Sequence, residues 1–217
     1  MFELPLKREH RLFVVSGPSG VGKSTVTAEL FKAPEIQETV EYSISATTRP
    51  PRPGEIDGEN YYFITPERFD EMAAAGEFLE WAHVHDSRYG TPRSNLDRAF
   101  AAGRDLYLEI DVQGALNVRR AHPESVLIFI TAPPDVFRAR LENRTSALTG
   151  DALRNEIEIR MDTARGELAL ITEYDYCVLN DKLDECVKNV INIVFAERCR
   201  VPSGSKKRAP GTIQGDV

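Results

Sequence analysis

A glycine-rich stretch near the amino terminus constrains this chain more than any other feature. Residues 17–24 are Gly-Pro-Ser-Gly-Val-Gly-Lys-Ser, and the apolar run Leu12–Val15 precedes them. Spaced glycines, a lysine and a hydroxyl between a buried strand and a helix-forming segment are typical of a phosphate-binding loop. The N–H groups of such a loop and the helix N-terminus behind it favour a bound anion. The stretch therefore predicts a nucleoside triphosphate site.

Side-chain chemistry predicts the roles within this stretch. Lys23 carries an ammonium group that can reach the outer phosphates, and the hydroxyl of Ser24 can be a ligand of Mg²⁺. The predicted triphosphate-binding residues are Gly17, Pro18, Ser19, Gly20, Val21, Gly22, Lys23, Ser24 and Thr25.

Composition argues against several classes of protein. The net charge of −7 disfavours a general nucleic-acid binder, which needs a basic face. No run of about 18 apolar residues is present, and the first residues do not match a secretion signal. Three widely spaced cysteines favour reduced thiols over disulfides or a zinc site. We expect a cytoplasmic protein that binds neither nucleic acid nor membranes, while monomer and homodimer stay open.

Alternating strand and helix signals predict an α/β fold, with a parallel sheet between two layers of helices. The predicted buried strands are Leu12–Ser16, Leu106–Ile110, Val126–Ile130 and Tyr176–Leu179. Two later helices are predicted to begin with N-caps at Asp151 and Asp181.

A segment in the first half of the chain breaks this rhythm and predicts a β-rich insertion at about 42–97. Its predicted elements are strands at Glu41–Ala46, Tyr61–Ile64 and Phe78–Val84, and a helix that starts at Thr65-Pro66 and ends at Gly76. The rest divides into a core at about 11–41, 98–139 and 166–200, a small helical lid at about 140–165, and a tail at 201–217 that is expected to be disordered.

The insertion contains a loop suited to a second phosphate. Arg49 and Arg52 lie three residues apart between prolines, and two guanidinium forks held close together suit a dianionic phosphate. Tyr61 and Tyr89 offer phenolic donors that could reach the same anion. An exposed basic turn is the alternative interpretation of these residues.

Three carboxylates extend the candidate site. Glu80 lies within the apolar run Phe78–Trp81, where a carboxylate facing a pocket can accept the two adjacent N–H groups of guanine, which adenine lacks. A solvated strand glutamate is the alternative. Glu109 and Asp111 end a predicted strand, where ligands of open α/β sheets bind. Asp111 is predicted to hold Mg²⁺ or its waters, and Glu109 to assist there or to face the acceptor.

Arginines flank the predicted lid, around the polar stretch 143–150. Arg140, Arg144 and, farther on, Arg160 are candidates to stabilise charge on a transferred phosphoryl group as the lid excludes water. Solvated arginines on helix faces are the alternative.

Taken together, these segments resemble the guanylate kinase family, nucleoside monophosphate kinases with a P-loop NTPase fold that transfer phosphoryl from ATP to GMP. The resemblance covers about residues 11–200. The family signature of Ser, Thr-Arg-x-x-Arg-x-Gly-Glu and Gly-x-x-Tyr-x-Phe is matched from Ser45 to Phe63. Two departures stand out: the usual Asp-Ile-Asp is Glu109-Ile110-Asp111, and the usual Arg-Gly of the lid is Arg144-Thr145.

The resemblance implies an ATP:GMP phosphotransferase that gives ADP and GDP, uses Mg²⁺ held by Ser24 and Asp111, and serves purine nucleotide metabolism. It implies that Lys23, Arg49, Arg140, Arg144 and Arg160 are catalytic and that Asn180 joins the ATP site. The implied GMP-binding residues are Ser45, Arg49, Arg52, Tyr61, Glu80, Tyr89, Thr91, Glu109 and Asp111. The alternatives are a catalytically inactive module that binds phosphoproteins and a related kinase with another phosphorylated acceptor.

Overall fold

A computed structural model describes residues 10–84, 86–144 and 150–201, apart from the side chain of Arg144. The middle of the predicted lid (145–149) and nearly all of the predicted tail (202–217) lie outside the described residues.

Strands and helices alternate through most of the described chain. The strands are β1 (Leu12–Ser16), β2 (Val40–Tyr42), β3 (Ala46–Thr47), β4 (Tyr62–Phe63), β5 (Phe78–Val84), β6 (Ser87–Pro92), β7 (Asp105–Glu109), β8 (Val126–Thr131) and β9 (Tyr176–Leu179). The α-helices are α1 (Lys23–Leu30), α2 (Pro34–Thr39), α3 (Pro66–Ala74), α4 (Arg93–Ala101), α5 (Val112–Ala121), α6 (Pro134–Arg144), α7 (Gly150–Leu168) and α8 (Leu183–Arg198).

The core sheet has the strand order β2-β7-β1-β8-β9, and all its pairings are parallel. Its inner strands β7, β1 and β8 are buried on both faces, because helices cover both. Phe13 and Val15 pack with α1, α7 and α8 on one face, whereas Val14 packs with α4 and α5 on the other. The predicted α/β fold with a parallel sheet is confirmed, and the carboxyl ends of its strands meet at one edge.

A second sheet, β4-β3-β6-β5, carries the acceptor-side candidates. Phe69 of α3 stacks on Phe78 of β5 with ring centroids 4.6 Å apart, which fixes the outer side of this sheet. The helix expected after Thr65 is present, and the Thr65 side chain accepts the backbone N–H of Arg68 at 3.2 Å. This cap and the following proline explain why the local sequence predicted the helix correctly.

Three local predictions are wrong. The predicted strand Glu41–Ala46 is two strands: β2 pairs with β7 in the core sheet, and β3 belongs to the second sheet. Asp181 does not cap α8, because the helix begins at Leu183 and its N-cap position is Lys182, whose backbone is extended. Asp151 lies inside the first turn of α7, because that helix already begins at Gly150.

Candidate active site

The loop between β1 and α1 has the geometry of an anion cradle. Gly17, Gly20 and Gly22 all have positive φ angles, of 143°, 96° and 98°. A Cβ atom at Gly17 would lie 2.1 Å from the carbonyl oxygen of Ile130, so no side chain fits there. Lys23 Nζ donates to the carbonyl oxygens of Gly17 at 2.5 Å and of Pro18 at 3.1 Å. The ammonium group therefore lies against the loop. To bind a phosphate it would exchange these carbonyl oxygens for phosphate oxygens.

Arg140 and Asn180 meet this loop from its outer side. Arg140 Nη1 and Asn180 Nδ2 both donate to the carbonyl oxygen of Val21, at 2.8 and 2.9 Å. Asn180 is 2% exposed and follows β9, while Arg140 comes from α6. A Cβ at Gly22 would lie 2.7 Å from Asn180 Nδ2, so the glycine allows this close approach. The structure thus brings both predicted ATP-side residues to the loop.

The two carboxylates at the carboxyl end of β7, Glu109 and Asp111, make different contacts. Ser24 Oγ donates to Glu109 Oε1 at 2.6 Å, which joins the start of α1 to the end of β7. Asp111 Oδ1 accepts the backbone N–H of Gly114 at 2.7 Å and caps α5. Of the two predicted acidic residues, Glu109 is the one in direct contact with the loop hydroxyl.

A buried corner of the second sheet surrounds Glu80. Thr91 Oγ1 donates to Glu80 Oε1 at 2.8 Å, and Glu80 is 8% exposed. Burial, with a smaller contribution from the charge of Asp111, raises the pKa of Glu80 to about 7. A Cβ at Gly114 would lie 3.0 Å from Glu80 Oε2, so this glycine gives the carboxylate room beside α5. Ser45 is also buried and lines the same cavity.

Arg49 is held in a rigid arrangement. Its Nη1 and Nη2 donate to the two carboxylate oxygens of Glu55 at 2.8 and 2.9 Å, and its Nε donates to Tyr89 Oη at 3.2 Å. The hydrogen bonds to Glu55 raise the pKa of Arg49 above its usual range. The Arg49 guanidinium carbon also lies 5.5 Å from the ring centroid of Tyr61. Burial and then the charge of Glu109 raise the pKa of Tyr61.

Other predicted arginines are less closely placed. The side chain of Arg52 is exposed, and only its backbone N–H joins the arrangement, donating to Glu55 Oε2 at 2.7 Å. Arg160 Nε donates to Glu156 Oε1 within α7 at 2.7 Å, and Arg160 does not line the central cavity. The side chain of Arg144 lies outside the described residues.

One cavity of about 640 Å³ joins the phosphate-binding loop to the second sheet. From the loop side it is lined by Ser19, Gly20, Gly22, Lys23, Ser24, Thr25, Arg140 and Asn180. From the second sheet and its loops it is lined by Ser45, Tyr61, Glu80 and Tyr89, and from the carboxyl end of β7 by Glu109 and Asp111. Its volume lies within the range of small-molecule binding pockets.

Sequence reasoning missed two positioning residues. Glu55 fixes the Arg49 fork and stands only six residues after the arginine, where it is the glutamate that ends the Thr-Arg-x-x-Arg-x-Gly-Glu signature. Asn95 of α4 donates through Nδ2 to Ser43 Oγ at 2.9 Å and to the carbonyl oxygen of Ile44 at 3.0 Å, which secures the segment before Ser45. Nothing in the local sequence around Asn95 indicated this contact.

Comparison with known proteins agrees with the geometry. The family model described as guanylate kinase matches residues 9–197. The chain belongs to the guanylate kinase family. It is 42% identical to the guanylate kinase of Caldanaerobacter subterraneus, over 91% of this chain and 93% of that protein. It is 44% identical to the guanylate kinase of Lactococcus lactis, over 89% of this chain and 92% of that protein.

A solved guanylate kinase has the same fold. The crystal structure of guanylate kinase from Anaplasma phagocytophilum superposes with a TM-score of 0.71 at 31% identity, covering 90% of this chain and 89% of that one. The guanylate kinase resemblance expected from the sequence is thereby confirmed. Within the described residues, no helix combines the length and apolarity needed to cross a bilayer.

Proposed function

We propose that this guanylate kinase transfers the γ-phosphoryl group of ATP to GMP, giving ADP and GDP in purine nucleotide metabolism. The observation that carries the proposal is the shared cavity, which both Lys23 of the phosphate-binding loop and Glu80 of the second sheet line. An inactive phosphoprotein-binding module would not need the loop lysine and hydroxyl, and both are present. The three cysteines are free thiols, which supports a reducing, cytoplasmic location.

Magnesium is the cation that the donor set fits. The hydroxyl of Ser24 and the carboxylates of Glu109 and Asp111 all line the cavity, and Mg²⁺ prefers oxygen ligands from one or two carboxylates together with substrate phosphates. We assign Ser24 and Asp111 to the metal, with Glu109 beside them. When bound, the ion would neutralise charge on the phosphates of ATP.

Catalysis in this proposal rests on alignment and charge neutralisation. A phosphate acceptor is already ionised, so a strong general base is not needed. Lys23 and the loop N–H groups would hold the donor phosphates, with Arg140, Arg144 and Arg160 arriving from α6 and α7. Arg49, Arg52, Tyr61 and Tyr89 would hold the phosphate of GMP in line with them.

Guanine would be recognised by the buried residues around Glu80. The ionised Glu80 carboxylate can accept the N1–H and N2–H of guanine, while Thr91 holds one of its oxygens. Ser45 would contact the same base. Adenine presents no matching donor pair, so with AMP the buried carboxylate would keep only its bonds from Thr91, at a cost of about 1–3 kcal/mol for each acceptor left unmet.

An acceptor panel tests the proposed function. ADP release is measured with ATP, Mg²⁺ and, in turn, GMP, AMP, CMP and UMP. We expect GMP to exceed each of the others by about 10⁴-fold in kcat/KM, since a site built to bond a polar edge rejects analogues that lack it. Comparable rates with AMP, or no release above ATP hydrolysis with any acceptor, would refute the assignment.

Glu80 predicts a pH dependence of GMP binding. Its pKa is raised to about 7, so the carboxylate is mostly ionised above pH 7 and mostly protonated below it. The proton removes one acceptor, so the Kd for GMP should rise by about tenfold per pH unit below 7. Calorimetric titration with GMP between about pH 6 and pH 8 measures this rise.

Glu80→Gln is the matched control for this prediction. The phosphate of GMP also titrates, near pH 6, but it does so equally in the variant and the wild type. The variant should bind GMP about 10–100-fold more weakly at pH 8, because a charge-assisted hydrogen bond is lost, and its profile should be flatter. Parallel profiles of the two proteins would show that Glu80 does not contact the base.

A further inference from the structure

We propose that Glu167 is a positioning residue, whose charge holds the ammonium group of Lys23 in place for phosphoryl transfer. The inference rests on the proposed function, because it concerns the lysine that would meet the phosphates of ATP. Its basis is a group of buried polar atoms at the carboxyl end of the core sheet, beside the phosphate-binding loop.

Three side chains form this group of buried polar atoms. Ser16 Oγ, Tyr174 Oη and Glu167 Oε2 are each buried, and none has a hydrogen-bond partner among the residues that the structure describes. Buried polar atoms are paired in most proteins, so each exception calls for an explanation. Hydroxyls can donate and a carboxylate oxygen accepts, so these atoms are chemically complementary. The group is therefore a polar site next to the loop that holds Lys23.

The core sheet brings the two hydroxyls to the start of the loop. Ser16 is the last residue of β1 and pairs with Phe129 of β8 in the register of the sheet. The ring of Tyr174 packs edge-on against Phe129, with the ring centroids 5.0 Å apart. Tyr174 is fixed there because the next N–H, of Asp175, donates to the Leu127 carbonyl oxygen at 3.0 Å. Paired residues project to the same face of a sheet, so the phenol lies on the face of Ser16.

Glu167 has a charge where its own helix disfavours one. It lies in the last turn of α7, and the partial negative charge of a helix C-terminus destabilises a carboxylate. Burial raises the pKa of Glu167, the charge of Lys23 offsets part of this, and the charge of Asp111 adds to it. The ionised carboxylate is thus stabilised by Lys23 against both its helix and its burial. Residues that break a local rule in this way are expected at functional sites.

A fixed carboxylate limits where the ammonium group of Lys23 can go. The lysine side chain is a flexible four-carbon stem, and its Nζ donates to the carbonyl oxygens of Gly17 and Pro18. When phosphate oxygens replace these acceptors, the charge of Glu167 keeps Nζ on the side of the loop where Asp111 lies. Glu167 should therefore affect the rate of transfer more than the affinity for ATP, which its charge repels.

Glu167→Gln tests this role, because it removes the charge and keeps the size of the side chain. We expect kcat at saturating ATP and GMP to fall by about tenfold, less than the roughly 10²-fold that a 1 Å misplacement can cost. The calorimetric Kd for ATP should weaken by no more than about threefold, since a loss confined to kcat marks an interaction made in the transition state. The Tm should stay equal or rise, because a carboxylate leaves the end of a helix.

Two further variants show whether the effect passes through Lys23. In a Lys23→Ala background, Glu167→Gln should cause no further loss of kcat, because groups that act as one unit are not additive. Glu173→Gln, the same loss of charge at an exposed position in the 3₁₀ turn Ile171–Glu173, is the matched control. It should leave kcat and the Kd for ATP at their wild-type values.

Three results would overturn the inference. Wild-type kcat in Glu167→Gln would do so, as would an equal loss of kcat in the Lys23→Ala background. A fall in Tm together with kcat would assign Glu167 a structural role instead. Failure of the wild type to phosphorylate GMP is distinct from these, because it would contradict the proposed function itself.

Discussion

Lys23→Ala should lower kcat by about 10³-fold, which is the upper range for removing one preorganised donor from a transition state. Lys23 supplies the ammonium group of the phosphate-binding loop and lies against the carbonyl oxygens of Gly17 and Pro18. Charge that develops on the transferred phosphoryl group would lose this cation. Steady-state assays at saturating ATP and GMP measure the effect on kcat.

Lys32→Ala is the control for this substitution. Lys32 follows α1, is exposed, and makes a surface ion pair with Glu29 at 2.6 Å. Such pairs contribute about 0–1 kcal/mol to stability, so kcat and Tm should both stay near the wild-type values. If kcat of Lys23→Ala lay within about threefold of that of Lys32→Ala, Lys23 would have no role in catalysis.

Arg49→Met should lower kcat/KM for GMP by about 10²–10³-fold while leaving the Kd for ATP unchanged. A hydrogen bond to a charged group contributes about 1.5–3 kcal/mol, and Nη2 of Arg49 keeps one N–H for a phosphate beside those that donate to Glu55, Pro50 and Tyr89. The substitution also leaves the Glu55 carboxylate without its partner near the phosphate, which adds charge repulsion. The fork is preorganised, because Glu55 and Tyr89 already fix its orientation. Methionine keeps most of the side-chain length and removes the charge.

Two further variants sharpen the Arg49 test. Arg49→Lys keeps the charge but loses the planar fork, and it should recover only part of the lost activity. Arg68 lies in α3, the helix that packs on the second sheet, and its ion pairs with Glu71 and Glu77 are exposed. Arg68→Met is therefore the matched control. It should behave as wild type. Full activity in Arg49→Lys would show that a point charge suffices and that the fork has no role.

Local signals correctly predicted the strand and the helix on either side of the glycine-rich loop. The strand β1, the glycine turn and the start of α1 are contiguous in sequence, so the pattern of residues 12–24 contains the whole unit. The four predicted core strands are present, and three of them, β1, β7 and β8, are mostly apolar and buried, as a sheet covered on both faces requires. The break in the strand–helix rhythm predicted a β-rich insertion, and β3 to β6 form a sheet of their own.

Contacts between distant segments were not predictable in the same way. The split of Glu41–Ala46 into β2 and β3 depends on pairing with Asp105–Tyr107 and with Tyr89–Gly90, which lie about 40 or more residues away in sequence. The bond between Ser24 and Glu109 likewise follows from strand register and not from local pattern. The domain boundaries and the roles of individual site residues stay predictions.

A structure of the protein with GMP and a non-hydrolysable ATP analogue bound together tests the central claim most directly. The claim is that the cavity holds two nucleotides with their phosphates facing, one on the loop of Lys23 and the other on the fork of Arg49. We expect the GMP phosphate within hydrogen-bonding distance of Arg49, Tyr61 and Tyr89, and guanine against Glu80. A monophosphate bound away from Arg49, or guanine outside the Glu80 corner, would contradict the account.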